Sequence, residues 1–183
     1  MKTLLCTSAI AVMASVSMAA ESEFKSGLQV GDYPGAFYVT DVTGPSAGEP
    51  LCYRCQYSTR PVVSIFARAM TDEVKQLVKE IDTLVGAKRD ERLAAFVVLL
   101  TDEPHEQTPA LEGVAKQQKI AHTPLTTYKT SAGPGKYRIH KNADVTVMMW
   151  VENDVKVNHA FTKGQLDSSA IKQIVSDTTT ILN

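Results

Sequence analysis

Residues 61–86 read PVVSIFARAMTDEVKQLVKEIDTLVG, and this stretch decides the fold. Its first seven residues form a nearly continuous apolar run, which predicts a strand buried on both faces of a sheet. Thr71 is suited to cap a following helix, and Asp72 and Glu73 place negative charge at the positive end of the helix dipole. Apolar residues then recur at three- and four-residue spacing as far as Gly86, where a glycine favours a stop. The stretch therefore predicts a buried strand followed by an amphipathic helix.

Further elements extend this unit in both directions along the chain. The patterns of apolar residues and turn residues predict, in order, a strand or hairpin over 36–42, a loop over 43–50, a strand over 93–100, a helix from about Pro109 to Lys119, a strand over 123–128, one helical turn over 136–141, a hairpin of 145–151 and 155–161 around Asn153-Asp154, and a helix over about 166–182.

The composition is that of an ordinary soluble globular protein. Of the 183 residues, 44% are hydrophobic and 21% are charged, and 19 basic residues face 20 acidic ones for a net charge of -1. Such a chain has no basic surplus for neutralising phosphates, so we expect no nucleic-acid partner. The length suits one domain with its own hydrophobic core.

Residues 1–20 have the pattern of a secretory signal peptide. Lys2 gives a cationic start, residues 4–16 are apolar, and residues 17–20, SMAA, offer small side chains for cleavage. No stretch reaches the roughly 18 uncharged apolar residues of a membrane-spanning helix, so no membrane span is expected. We therefore expect a protein exported to a periplasm or secreted, with a flexible tail over 21–27 and one domain over 28–183.

The three cysteines are Cys6, Cys52 and Cys55, and signal cleavage would remove the first. The other two have C-x-x-C spacing, and two thiols that close in sequence can bridge each other in an oxidising compartment. Closing so small a loop removes little entropy from the unfolded chain, so the pair suits opening and closing better than stapling. Cys52 and Cys55 are therefore the candidate catalytic residues.

Three short motifs accompany this order of elements. Residues 30–37 read VGDYPGAF, residues 60–66 read RPVVSIF, and residues 145–157 begin with VTVMMW and end with VKV. They resemble the opening, the first core strand and the late hairpin of redoxins and peroxiredoxins, which have the thioredoxin-like fold. The resemblance covers most of residues 28–183. It implies an α/β fold, a three-layer α/β/α sandwich with a mixed central sheet and an N-terminal β extension.

The position of the family's catalytic cysteine is vacant in this chain. In redoxins the attacking cysteine follows the first core strand, at the start of the next helix, where the helix dipole favours a thiolate. Residues 67–71 here are ARAMT, and residues 143–146 are ADVT where thioredoxins have a cis-proline. No residue is therefore carried over as the family's nucleophile. The C-x-x-C is displaced to the other end of the core strand.

The surroundings of the displaced motif suggest moderate reactivity. Because only residues 56–60 separate it from the strand, we expect no helix to begin at the motif. Arg54 and Arg60 are expected to stabilise a thiolate by charge, and Tyr53 and Tyr57 to shield the pair or face a partner. A less acidic thiol than that of thioredoxin suits electron transfer or redox response better than rapid peroxide reduction.

Three interpretations of the cysteine pair stay open. Exchange with a protein dithiol or disulfide partner is favoured by the spacing, the export pattern and the redoxin-like motifs. A structural disulfide in a non-catalytic binding module is the second interpretation. The third is a soft-metal site, in which zinc would need help from histidines and copper(I) from methionines, the available ones being His105, His122, His140, His159, Met70, Met148 and Met149.

No cofactor is expected, and covalent haem is disfavoured because Gln56 stands where C-x-x-C-H requires histidine. Other polar and aromatic residues favour structural roles. We expect His159 to be a hydrogen-bonded structural histidine, Asp102 and Glu103 with His105 to lie in a solvated loop, and Trp150 to fill the core. The attacking cysteine, the natural partner and the oligomeric state stay open.

Overall fold

A computed structural model of the protein describes residues 24–182, so the predicted signal peptide over 1–20 lies outside the described residues. In chain order the elements are β1 (Val39–Asp41), β2 (Pro50–Leu51), α1 (Tyr53–Tyr57), β3 (Val62–Ala67), α2 (Asp72–Ala87), β4 (Ala94–Leu100), α3 (Pro104–Gln118), β5 (Leu125–Tyr128), β6 (Val145–Val151), β7 (Asp154–Phe161) and α4 (Ser168–Asp177). Short 3-10 helices cover Gly135–Tyr137 and Thr178–Ile181.

The strands form one mixed sheet in the order β2-β1-β5-β4-β3-β6-β7. β3 lies inside it, parallel to β4 and antiparallel to β6, and all six of its residues are buried. Because a parallel pair needs a crossover, α2 connects β3 to β4 across one face of the sheet.

Each face of the sheet carries its own hydrophobic core. The first core is aliphatic and is closed by α2, α3 and α4. The second is rich in aromatic residues and is closed by α1, by the extended segment before β1 and by the 3-10 helix at Gly135–Tyr137. This arrangement is the three-layer sandwich that the resemblance implies, with β1 and β2 as the N-terminal β extension.

Most predicted elements are confirmed. The Thr71 hydroxyl accepts a hydrogen bond from the Val74 amide at 3.3 Å and so caps α2 as expected. The β6–β7 hairpin also forms, but its turn is Glu152-Asn153, one residue earlier than predicted. Both turn residues have positive φ, 53° and 63°, which matches the twist of a two-residue hairpin.

Several predicted boundaries are wrong, and two of these differences have a clear physical reason. α3 begins at Pro104 rather than near Pro109, because Pro104 occupies the first turn, where the missing N–H has no helical partner to lose. The tail predicted to reach residue 27 ends earlier. Ser26 is buried, with its hydroxyl 2.7 Å from that of Thr146, and the Gly27 amide donates to the Arg138 carbonyl at 3.1 Å.

Candidate functional site

Cys52 and Cys55 form a disulfide in the first turn of α1, directly after the edge strand β2. Their Cα atoms are 5.2 Å apart, within the usual range for bonded cysteines. Cys52 is the N-cap of α1, and its Sγ accepts a hydrogen bond from the Cys55 amide at 3.2 Å. The expectation that no helix begins at the motif is therefore wrong. One five-residue helix fits because it starts inside the motif and ends at Tyr57.

The two cysteines differ in exposure. Cys52 is only 5% exposed and belongs to the buried core, whereas Cys55 is exposed on the outer side of α1. The difference follows from the helix itself, because its cap turns inward toward the sheet while its third residue points away. A solvent-borne thiol therefore has access to one side of the disulfide.

Tyr53 anchors the motif to the second core. Its ring is 2% exposed and stacks on Phe96, with ring centroids 5.4 Å apart and planes inclined by 17°. Tyr57 packs beside it, and its hydroxyl donates to the Ala95 carbonyl at 3.3 Å. Tyr53 thus anchors the start of α1 in the aromatic core and offers no surface to a partner. Tyr57 is partly exposed, so a contact between Tyr57 and a partner stays a prediction.

A buried carboxylate, Asp41, lies close to the Tyr53 hydroxyl. Asp41 is fully buried and accepts hydrogen bonds from the amides of Gly44 and Ser46 at 2.9 and 2.8 Å. A Cβ at Gly44 would collide with the Tyr53 hydroxyl and lie 2.7 Å from both Asp41 carboxylate oxygens, so these groups crowd one another. Burial and the nearby Asp41 charge raise the pKa of Tyr53 above its ordinary value near 10. Sequence reasoning missed Asp41, although an aspartate three residues before a glycine is a turn signal.

The arginines next to the motif are directed elsewhere. Arg54 donates from Nε to the Pro34 carbonyl at 2.7 Å and lies against Tyr33, contacting its hydroxyl and covering its ring. Arg60 donates from Nε to the Arg92 carbonyl at 2.8 Å and lies over Tyr57. The expected stabilisation of a thiolate by these two charges is thus not built into their contacts. Both side chains fasten α1 to its neighbours instead.

A cleft of about 900 Å³ lies at the C-terminal end of β3, and no cysteine lines it. Its lining includes Arg68, Asp144 and Leu166. The Arg68 guanidinium donates to the carbonyls of Ala143 and His140 at 2.8 and 3.1 Å, and also to the carbonyl of Ser131. The vacant family position therefore lies in a cleft. There Arg68 connects its own loop to the segment around Ser131 and to the loop over 138–144.

No metal site emerges from the described chain. Between residues 24 and 182 no three histidine, cysteine, aspartate or glutamate side chains lie close enough together to hold an ion. Met148 and Met149 are fully buried in different cores, and the Leu28 amide donates to the Met148 sulfur at 3.2 Å. Core packing therefore accounts for both methionines.

The remaining candidates have structural surroundings. His159 Nε2 lies 2.9 Å from the Asp177 carboxylate, and Trp150 is fully buried, as expected. Asp102 accepts a hydrogen bond from the Ser131 amide at 2.9 Å, which lowers its pKa. Glu103 and His105 are exposed, but the predicted loop is wrong for His105, which lies in the first turn of α3. None of these residues lies at the disulfide. Within residues 24–182 no helix has the length and hydropathy needed to cross a bilayer.

Comparisons with known proteins identify the fold. No family model and no curated protein matches the sequence. Solved structures do match. A candidate thiol:disulfide interchange protein, DsbE, from Chlorobium tepidum has a TM-score of 0.60 at 14% identity, covering 82% of this chain and 99% of that one. Peroxidoxin BcpB from Mycobacterium tuberculosis has a TM-score of 0.57 at 18% identity, covering 85% and 99%.

A thiol peroxidase from Chromobacterium violaceum is similar in the same way, with a TM-score of 0.56 at 13% identity, covering 84% of this chain and 89% of that one. These similarities extend over almost the whole of each matched structure. They confirm the predicted thioredoxin-like fold. At such low identity they show the fold alone, and the chemistry has to be argued from the cysteine pair.

Proposed function

We propose that this chain is a thiol-disulfide oxidoreductase that works through Cys52 and Cys55 and exchanges electrons with a protein dithiol or disulfide. One observation carries the proposal. The pair is bonded, and one of its two cysteines is exposed at the surface while the other is held in the core. Exchange requires a thiolate to reach a disulfide sulfur, and the exposed Cys55 permits that approach.

The contacts that hold α1 in place support the same proposal. Tyr53 is packed on Phe96, and Arg54 is hydrogen bonded to the Pro34 carbonyl, so α1 is held by contacts other than the disulfide. Opening the S–S bond would therefore leave these contacts in place. A pair that opens without unfolding its support can cycle between its oxidised and reduced forms.

Insulin reduction tests the proposal. The full chain, with dithiothreitol as the electron source, is expected to accelerate insulin precipitation, and Cys52→Ser and Cys55→Ser are each expected to remove that acceleration. Gln56→Ala is the matched control, because it changes an exposed side chain of the same helix without removing a sulfur, and it is expected to retain the wild-type rate. Equal activity of the wild type and both pair variants would contradict the proposal.

A second candidate function rests on the cleft of about 900 Å³ at the C-terminal end of β3. There the fold presents a concave surface without sulfur, which suits a non-catalytic binding module whose Cys52–Cys55 disulfide is a local staple. Negligible insulin reduction by the wild type, together with pair variants that fold but are less stable than the wild type, would favour this function over the first.

Export is part of the proposal and rests on residues 1–20. A cationic start, an apolar run and small residues before Glu21 support cleavage after Ala20. Expression in a Gram-negative host followed by fractionation and N-terminal sequencing is expected to recover a periplasmic or secreted chain beginning at Glu21. Recovery of a cytoplasmic chain that retains Met1 or Lys2 would contradict export.

A further inference from the structure

We infer that the pair has a fixed polarity: Cys55 forms the mixed disulfide with the partner, and Cys52 is the resolving cysteine. The inference rests on the proposed function and adds the order of its steps. A partner thiolate has to touch the sulfur that it attacks. Cys52 is 5% exposed beneath the start of α1, whereas Cys55 is exposed on the outer side of that helix. Access therefore selects Cys55.

The hydrogen bonding of the sulfurs selects the same order. Attack on one sulfur of a disulfide expels the other as a thiolate, so the expelled sulfur benefits from a donor that favours negative charge. Cys52 Sγ accepts a hydrogen bond from the Cys55 amide at 3.2 Å. Within residues 24–182 no donor comparably faces Cys55 Sγ. Negative charge is consequently better accommodated on Cys52 than on Cys55 when the bond breaks.

The resulting exchange balances in atoms and electrons. A thiolate of a partner dithiol attacks Cys55 Sγ, an S–S bond forms between partner and Cys55, the Cys52–Cys55 bond breaks, and its electron pair goes to Cys52 Sγ. The partner's second thiolate then attacks its own bonded sulfur and expels Cys55 as a thiolate. The partner is oxidised to a disulfide and the pair is reduced by two electrons. The same steps in reverse reduce a partner disulfide.

Competitive labelling of the reduced wild-type chain tests the polarity in one molecule. The chain is reduced, freed of reductant, treated briefly with iodoacetamide under native conditions, then denatured and labelled with a second, heavy reagent. Trypsin cleaves after Arg54, so Cys52 and Cys55 fall on separate peptides and their label ratios are read independently. We expect the native label on Cys55 to exceed that on Cys52 on the order of tenfold, because access controls thiol reactivity.

Trapping with oxidised glutathione supplies the second measurement. Cys52→Ser leaves Cys55 as the thiol of the pair, and serine remains a good helix cap, so α1 is expected to persist. This variant is expected to form a glutathione mixed disulfide rapidly, while Cys55→Ser forms one slowly. Both reactions are followed by intact mass, and the modified residue is identified by peptide mapping.

The outcomes separate the polarity from the proposed function. Preferential labelling and trapping at Cys55 support the inference. Faster modification of Cys52 would overturn the polarity and leave thiol-disulfide exchange standing, provided that the wild type reduces insulin. Failure of both cysteines to form a mixed disulfide, with the wild type inactive on insulin, would overturn the polarity and the proposed function together.

Discussion

The first turn of α1 carries a disulfide and packs on the aromatic core, whereas the cleft at the C-terminal end of β3, beyond Ala67, has no cysteine in its lining. Both regions belong to one thioredoxin-like fold, yet only the first carries cysteines. The comparison teaches that the fold alone does not locate the reactive group.

The region of the disulfide and the region of the cleft are also stabilised differently. Around the disulfide, apolar burial dominates, because Tyr53 packs against Phe96 and belongs to the aromatic core. Around the cleft, hydrogen bonds to main-chain groups dominate, since Thr71 caps α2 and Arg68 donates to three carbonyls. Substitutions in these two regions are therefore expected to destabilise the protein by different mechanisms and by different amounts.

The largest effect is expected from deleting the Tyr53 ring, which anchors α1 in the aromatic core. Tyr53→Ala deletes a ring that is 2% exposed and should lower the free energy of unfolding by about 3–5 kcal/mol. Tyr38→Ala is the matched control because that ring is 66% exposed, and a change within about 0.5 kcal/mol is expected. Urea unfolding measures both. Equal decreases in the free energy of unfolding for the two variants would show that α1 is not anchored through Tyr53.

A smaller effect is expected from crowding the Tyr53 hydroxyl and the Asp41 carboxylate. Gly44→Ala places a methyl group against the Tyr53 hydroxyl and the Asp41 carboxylate, and overpacking of this kind costs about 1–3 kcal/mol. The same substitution at Gly113 in α3 meets open space and should be neutral or slightly stabilising. Thermal unfolding of the two variants compares them. A Gly44→Ala protein as stable as the wild type would contradict the packing described around Asp41.

The region of the cleft is expected to respond more weakly. Thr71→Ala removes the hydroxyl that accepts the Val74 amide hydrogen bond and should lower the free energy of unfolding by about 1 kcal/mol. Thr71→Ser keeps the acceptor and should restore most of this loss. Urea unfolding of both variants is the measurement, and identical stabilities of the alanine and serine variants would show that the cap contributes nothing.

The smallest effect concerns alkaline pH. Burial raises the pKa of Tyr53 in the folded state, so its contribution is complete below the ordinary pKa near 10 and is lost as pH rises above that value. At pH 10.5 the protein should be less stable than at pH 8 by up to about 1 kcal/mol on account of this side chain. Tyr53→Phe cannot ionise and should lose correspondingly less stability over the same interval. If both proteins lost the same amount, the Tyr53 hydroxyl would not titrate differently in the folded and unfolded states.

Periodic and apolar patterns predicted the elements that packing reinforces. β3, α2 and β4 follow from their apolar residues, and Thr71 was identifiable as a cap because its acceptor lies three residues from its donor. Short elements were harder to predict. α1 has only five residues, and it forms because Cys52 caps it and Tyr53 packs on Phe96 from β4. That contact joins residues distant in sequence, so no local pattern contains it.

The candidate site was predicted in part for the same reason. The spacing of Cys52 and Cys55 predicts that the two thiols can bridge each other, and they form a disulfide in the structure. The unequal exposure of the two cysteines depends on how α1 sits on the sheet. The directions of Arg54 and Arg60 depend on carbonyl groups of Pro34 and Arg92, which the sequence does not place beside them.

The reduction potential of the Cys52–Cys55 pair tests the central claim most directly. The chain is equilibrated in dithiothreitol redox buffers of defined potential, and the reduced fraction is counted by alkylation and intact mass. For a pair that exchanges electrons with protein partners, we expect a midpoint above about -300 mV. A midpoint clearly below that value, or a disulfide that stays closed while the protein remains folded, would contradict it.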